Sequence, residues 1–337
     1  MKYWCWKAAS VVLGIVTASP VAAQIIAPGA TVQLLDTFVD GTFNNFTESP
    51  LYDGNGGVYV SDMWPLATQA TRPSRIYRYD LATDTKTLVD SNSGTANGTI
   101  FNPFGNLISA DRDRRQISLR SAANVAVVDT VLTSNYLGTS YNGPNDLIQD
   151  AAGGIYFTDP DYEGRLALPD ALYYRSGAGT VSRLRTYASP NHRPNGVVLS
   201  PNGSVLYVAL WNNRRIMAYD VAADGSLSGD REFAVTNTLI GGGAHNGRPD
   251  GMTIDAAGNL FASVGNRVFV WDSAGTRLAD ILIPSGSTNV DIGGAGGHTL
   301  FITAGKSLYS VLLIPEPSSL VLALVACLAL ARRRVRR

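Results

Sequence analysis

Cysteine is nearly absent. The only two, Cys5 and Cys327, lie in the terminal segments, so the long middle of the chain has none. This excludes disulfide staples, thiol catalysis and cysteine-ligated zinc there, and leaves the apolar core, with or without a bound metal, to hold the fold. Histidine is confined to His192, His245 and His298, and lysine is scarce. No Gly-x-Ser-x-Gly turn supports Ser-His-Asp catalysis. The glycine runs at Gly241–Gly243 and Gly293–Gly297 lack the following Lys-Ser/Thr and helix of a phosphate loop. Long helical periodicity is missing between the two ends. The formal charge of zero hides a polarity. The ends carry Lys2, Lys7, Arg332, Arg333, Arg334, Arg336 and Arg337 against one acid, Glu316, leaving 20 bases against 26 acids between them. An acidic middle without basic clusters excludes a nucleic-acid surface.

The ends read as addresses. Residues 1–23 combine a positive start, an apolar run from Ala8 to Ala18 and small residues before Gln24. These are the parts of a secretory signal peptide, cleaved after Ala23 by signal peptidase. At the other end, residues 314–337 run Pro315-Glu316-Pro317, an apolar stretch from Leu320 to Ala331, then arginines. Twelve apolar residues are short for a membrane span, but the arginines favour a cytoplasmic end. The order of these three parts resembles the PEP-CTERM sorting tail of exopolysaccharide-producing bacteria. That resemblance implies removal by an exosortase-type enzyme, transient anchoring in the membrane through the C-terminal segment, and an exported domain at the cell surface or outside the cell. A simple C-terminal anchor gives the same side of the membrane.

Between the ends, residues 24–313 repeat one pattern, a small turn and then a short apolar strand. Val58, Leu107, Ile155, Leu206, Leu260 and Leu300 are equivalent, at steps of 49, 48, 51, 54 and 40 residues. A second alternating strand follows most of them, as at Arg75–Asp80, Arg215–Asp220 and Arg267–Asp272. A period of about 40–50 residues with several short strands predicts propeller blades, here an all-β six-bladed β-propeller. A β-sandwich does not repeat at this period.

Ten to twelve residues before each repeated apolar position stands a carboxylate or an amide: Glu48, Asn97, Asn145, Asn195, Asp250 and Asn289. Propeller symmetry places equivalent residues on a ring at one mouth of the central channel. Six oxygen-bearing side chains, two of them acidic, describe a site for a hard divalent cation. Calcium takes about six to eight oxygens and fits best, ahead of magnesium, manganese or the more nitrogen- and sulfur-seeking zinc. Singly, each residue is of a type that makes a turn before a strand, but six in register with a glutamate among them are not explained by turns. His192 and His245 lie close in sequence to Asn195 and Asp250 and are candidates for the same mouth. Trp64, Trp211 and Trp271 are read as packing residues rather than a sugar platform.

The motifs Glu48-Ser49-Pro50, Pro144-Asn145-Asp146-Leu147, Arg193-Pro194-Asn195-Gly196, Pro249-Asp250-Gly251-Met252 and Thr288-Asn289-Val290 resemble those of the gluconolactonase and senescence-marker-protein (regucalcin) family. The likeness runs in order through nearly all of the middle region. It implies a divalent metal held by Glu48, Asn145, Asn195 and Asp250, with Asp250 also the general base. The chain departs from the family in Ser49, where glycine is usual, and in Asp111-Arg112, where a histidine or basic residue is common. It also lacks an arginine immediately before the Asn145 motif, so the metal site transfers better than the sugar specificity.

A divalent ion polarises a lactone or ester carbonyl, Asp250 takes a proton, and Asn97, Asn145 and Asn289 orient the substrate's oxygens. The expected function is thus a secreted, metal-dependent hydrolase of lactones or related esters, acting on a small-molecule substrate. The alternative is a non-catalytic extracellular propeller that binds glycan or protein ligands and uses the metal structurally.

Overall fold

The computed structural model describes residues 25–38, 45–64, 73–165, 167–188, 191–237 and 247–314. The expected signal peptide, residues 1–23, residues 315–337 of the expected sorting tail, and His245 lie outside the described residues. Among the described residues no helix is long and apolar enough to cross a membrane.

Six four-stranded antiparallel sheets follow one another along the chain, with no α-helix among the described residues. The predicted six-bladed propeller is the observed fold. Blades 1 to 5 are built from consecutive strands, and their innermost strands are Phe46–Tyr52, Ala96–Phe101, Leu147–Gln149, Pro194–Leu199 and Pro249–Ile254. Blade 6 starts at its inner strand, Ser287–Gly293, and takes its outer strand, Gln33–Thr37, from the beginning of the chain. That strand pairs antiparallel with Ser307–Leu312, Gln33 lying opposite Ser310. A bridge from Ile26 to Leu313 and a bond from Ile314 N to Ile25 O (2.9 Å) extend the closure. The six inner strands contact one another in cyclic order and so line a common axis.

The repeated apolar position lies on or at the start of the second strand of each blade. Val58, Leu107, Ile155, Leu206, Leu260 and Leu300 are all 0–1% exposed, so the sequence period is a core period. Side chains alternate between the two faces of each strand, and both faces of an inner blade are covered by its neighbours. The core is accordingly shared between blades: Phe261, Val268 and Val270 of blade 5 pack with Leu300, Ile302 and Tyr309 of blade 6. Trp64 and Trp271 are buried packing residues, whereas Trp211 is half-buried near the channel.

Candidate functional site

Each sequence-predicted site residue lies on an inner strand, next to its start or, for Asn145, just ahead of it. Five inner strands slip register here, between Glu48 and Leu51, Ala96 and Thr99, Pro194 and Val197, Pro249 and Met252, and Ser287 and Asn289. An extra residue at such a bulge bends the strand and re-aims its side chains, which turns these groups toward the axis. Blade 3 reaches the same end differently. Asn145 N bonds Thr158 O (2.9 Å) and Thr158 N bonds Asp146 O (3.0 Å) before the ladder begins. The departure at Ser49 has a backbone cost, since its φ is +48°, where glycine is favoured. Its hydroxyl compensates by accepting from Thr99 N (2.8 Å) and bonding Thr99 Oγ1 (2.7 Å).

Glycines set the narrow spacing of the ring. A Cβ at Gly196 would collide with the Asp250 carbonyl oxygen, and one at Gly251 with the Asn289 amide; a Cβ at Gly98 would meet Asp146. The first contact is with backbone, which cannot swing aside. Gly196→Ala is therefore expected to lower stability by about 1–3 kcal/mol through overpacking. Urea unfolding should show a lower midpoint at unchanged slope, and an unaltered midpoint would mean that the blades part freely there.

Within the ring, the Asn289 amide stands beside Glu48 and the Asn195 amide beside Asp250, each favouring the charged form of its neighbour. Asn195 Nδ2 also donates to Tyr162 Oη (2.9 Å). Glu48, Asn97, Asn145, Asn195 and Asn289 are buried, and Asp250 alone of the six is half-buried. The Asn97 and Asn145 side chains hold neighbouring ring positions.

Burial, then the charges of Asp250 and Asp146, raise Glu48 well above the usual carboxylate range, against the opposing bonds from Ser49 and Asn289. Burial, then Asp146, pushes Asp250 up to about 8, with Asn195 opposing. Asp146 itself is pushed up to about 7 by burial, although Leu147 N (2.9 Å) and Val197 N (3.1 Å) donate to it. No lysine or arginine among the described residues forms an ion pair with any of these three acids. The buried Glu48 and Asp146 and the half-buried Asp250 thus stand without a basic partner among the described residues, a deficit of positive charge of the kind that a divalent ion offsets. The donors are carboxylate and amide oxygens, with neither thiol nor imidazole, which fits calcium better than zinc. Below the ring the channel opens into a cavity of about 90 Å³ bordered by Ser49, Thr99, Asp146, Val197, Met252 and Asn289.

Several neighbours of the ring were not assigned a role from the sequence. Asp146 replaces the glycine that follows the ring residue in blades 2, 4 and 5, a difference visible only once the blades are aligned. Tyr162 comes from the connection between the second and third strands of blade 3. Of the histidines, His192 stacks edge-on with Tyr187 at 6.2 Å between centroids, and His298 lies in the turn at the far end of the blade 6 inner strand. Asp111 and Arg112 serve structure, Arg112 pairing with Glu163 at 3.3 Å and Asp111 lying in a buried network.

A six-bladed propeller whose inner strands converge carboxylates and amides on one mouth belongs to a recognisable class of axial-site propellers. Residues 46–306 match the SMP-30/gluconolactonase/LRE-like region, and the chain belongs to that family. It is 32% identical over 240 residues to a gluconolactonase of Zymomonas mobilis, an alignment covering 64% of this chain and 62% of that protein, just under two thirds of its length. It is 26% identical over 259 residues to a pentonolactonase of Haloferax volcanii, covering 74% and 80% of the two chains. Among solved structures, a gluconolactonase of Xanthomonas campestris superposes with a TM-score of 0.72 at 25% identity, over 88% of this chain and 94% of the other. A calcium-binding regucalcin of Agrobacterium tumefaciens, at 18% identity, shares the fold with a TM-score of 0.66 over 85% and 95%.

Proposed function

We propose that this protein is an exported, divalent-cation-dependent lactonase whose reaction takes place at the mouth of the propeller channel. The observation that carries the reading is the pair of buried Glu48 and half-buried Asp250, beside Asp146 among amide oxygens and with no basic partner among the described residues. Glu48, Asn145, Asn195 and Asp250 would hold the ion, with calcium the best match to an all-oxygen set. When bound, the cation supplies Lewis acidity at the lactone carbonyl and offsets the negative charge that develops on it.

The protein's own groups do the rest. Asp250 is the ring carboxylate open to the mouth, and its Oδ accepts the proton of the attacking water. Asn195 stands beside that carboxylate, favours its charged form and is itself anchored by Tyr162. Asn97, Asn145 and Asn289 orient the substrate's ring oxygen and hydroxyls. The relatives named gluconolactonase and pentonolactonase support a lactone as the substrate class. Export rests on the leader and the Pro315-Glu316-Pro317 tail.

Chelation is expected to abolish hydrolysis of a lactone panel, and added calcium to restore it. Full occupancy by calcium without turnover of any lactone would favour a non-catalytic binding propeller instead. Glu48→Gln separates the metal's role from the chemistry. In metal-free protein it removes a buried like charge, so its melting temperature should rise above that of the wild type. At calcium a hundredfold above Kd the wild type should gain about 2.7 kcal/mol of stability, most of which the variant forfeits. Equal calcium-induced shifts in both proteins would place the ion elsewhere.

A further inference from the structure

The sequence Arg193-Pro194-Asn195-Gly196 of blade 4 recurs in blade 5 as Arg248-Pro249-Asp250-Gly251. Each arginine precedes a ring residue by two positions, the same place in two adjacent blades. The corresponding positions of the other blades hold Phe46, Thr95, Gly143 and Ser287, so the charge is confined to one sector of the mouth. Aromatic rings hold the guanidinium groups there. Arg193 lies 5.0 Å from the centre of the Tyr162 ring and Arg248 lies 4.0 Å from that of Trp211, while the two rings meet edge to face at 5.7 Å. Arg214 belongs to the same group. Burial, then the charge of Arg214, lowers the pKa of Arg248, and Arg193 acts in the same direction. Bonds from Trp211 N to Arg193 O (3.0 Å) and Asn212 N to His192 O (3.1 Å) tie the two arginine-bearing segments together. Through Tyr162 and Asn195 this sector is continuous with Asp250.

The neighbouring sector shows what compensated charge looks like. There Arg112 pairs with Glu163 (3.3 Å), Arg165 with Asp113 (3.8 Å) and Arg114 with Asp111 (3.4 Å). Among the described residues Arg193 and Arg214 form no ion pair; the Nε of each is buried without a hydrogen-bond acceptor, as is that of Arg112, so the ion pair is what sets the two sectors apart. Like charges gathered beside a buried site repel one another and cost stability unless an anion joins them.

The geometry points to a substrate that brings its own negative charge: a lactone bearing a carboxylate or phosphate group, its anion seated on Arg193, Arg214 and Arg248 while its carbonyl faces Glu48 and Asp250. This rests on the lactonase reading and narrows it to anionic lactones. Guanidinium forks bind carboxylate and phosphate through paired charge-assisted bonds, and stacking on Tyr162 and Trp211 pre-sets their planes.

The test compares kcat/KM for neutral gluconolactone, a glucaric acid monolactone with a free carboxylate, and 6-phosphogluconolactone. The wild type should prefer at least one anionic lactone by roughly tenfold or more, the worth of one charge-assisted contact. Arg193→Gln and Arg214→Gln should each lower that preference roughly tenfold, mainly through KM, and added salt should erode it. Which anionic lactone is preferred identifies carboxylate or phosphate as the recognised group. No preference in the wild type, or one that neither variant changes, overturns the proposal. If no lactone is hydrolysed, the lactonase reading fails, and calorimetry with glucarate against neutral glucitol decides the anion site alone. Glucarate binding that weakens about tenfold in the variants supports the site, and equal binding of the two ligands, or none, overturns it.

Discussion

Exchanging Asp250 for asparagine should lower kcat/KM for a lactone by a factor of about 10² to 10⁴, the usual worth of a positioned general base. The substitution keeps the shape and the neighbours of the side chain, so its partner Asn195 and the underlying Gly196 contact are little disturbed. What it removes is an oxygen able to take up a proton. Burial and the Asp146 charge push the Asp250 carboxyl up to about 8, so it holds a proton far more readily than an exposed aspartate. A cation beside it moves that affinity back down. Asp250 is also a proposed ligand, so the loss must be measured at saturating calcium, with occupancy followed by thermal shift. A variant that binds calcium and keeps most of the wild-type rate would remove Asp250 from the chemistry.

The second large effect is on stability. Arg120, at the end of the third strand of blade 2, is 0% exposed. It donates to Asp90 Oδ2 (2.6 Å), Ser93 O (2.9 Å) and Val125 O (3.4 Å), and lies 3.8 Å from Asp111 Oδ1. Asp111 is equally buried and accepts from the hydroxyls of Ser109 and Ser118, each at 2.7 Å. Burial raises the Asp111 pKa even with Arg120 opposing it. Arg120→Met leaves the buried Asp90 without its cation and Asp111 with Arg114 alone, and should cost about 3–5 kcal/mol. Asp111 pairs with Ala96, and Arg112 N bonds Thr95 O (3.0 Å), so the network also fastens the strand end that carries Asn97. Adding Asp111→Asn to Arg120→Met should recover part of the loss, as expected of contacting partners. A cost below about 1 kcal/mol in urea unfolding would show that the pair carries no net stability.

The architecture and the ring of site residues could be read from the sequence for one reason. In a propeller, a repeat along the chain becomes a rotation about the axis, so spacing from Val58, Leu107 and their equivalents locates Glu48, Asn97 and the others without any contact map. Residues whose place depends on contacts between unlike segments were not legible. Arg120 sits at a strand end where alternation allows an exposed charge, and only its partners Asp90 and Asp111 reveal that it is buried. Tyr162 reaches Asn195 from another blade, with no motif linking the two. Asp146 looks like one more turn former beside Asn145 until its carboxylate is found beneath Val197 N.

The strand that completes the last blade sets an order of events. Gln33–Thr37 finds its hydrogen-bonding edge only on Ser307–Leu312, some 270 residues later, as the Thr37 hydroxyl meeting that of Ser307 shows. An early segment must therefore wait, its edge bare, until Ser307–Leu312 has been made. A product truncated before that hairpin would keep the waiting strand as an adhesive edge. Cutting the chain in a surface turn elsewhere and joining the neighbouring Ile25 and Ile314 would let the last blade form from contiguous sequence.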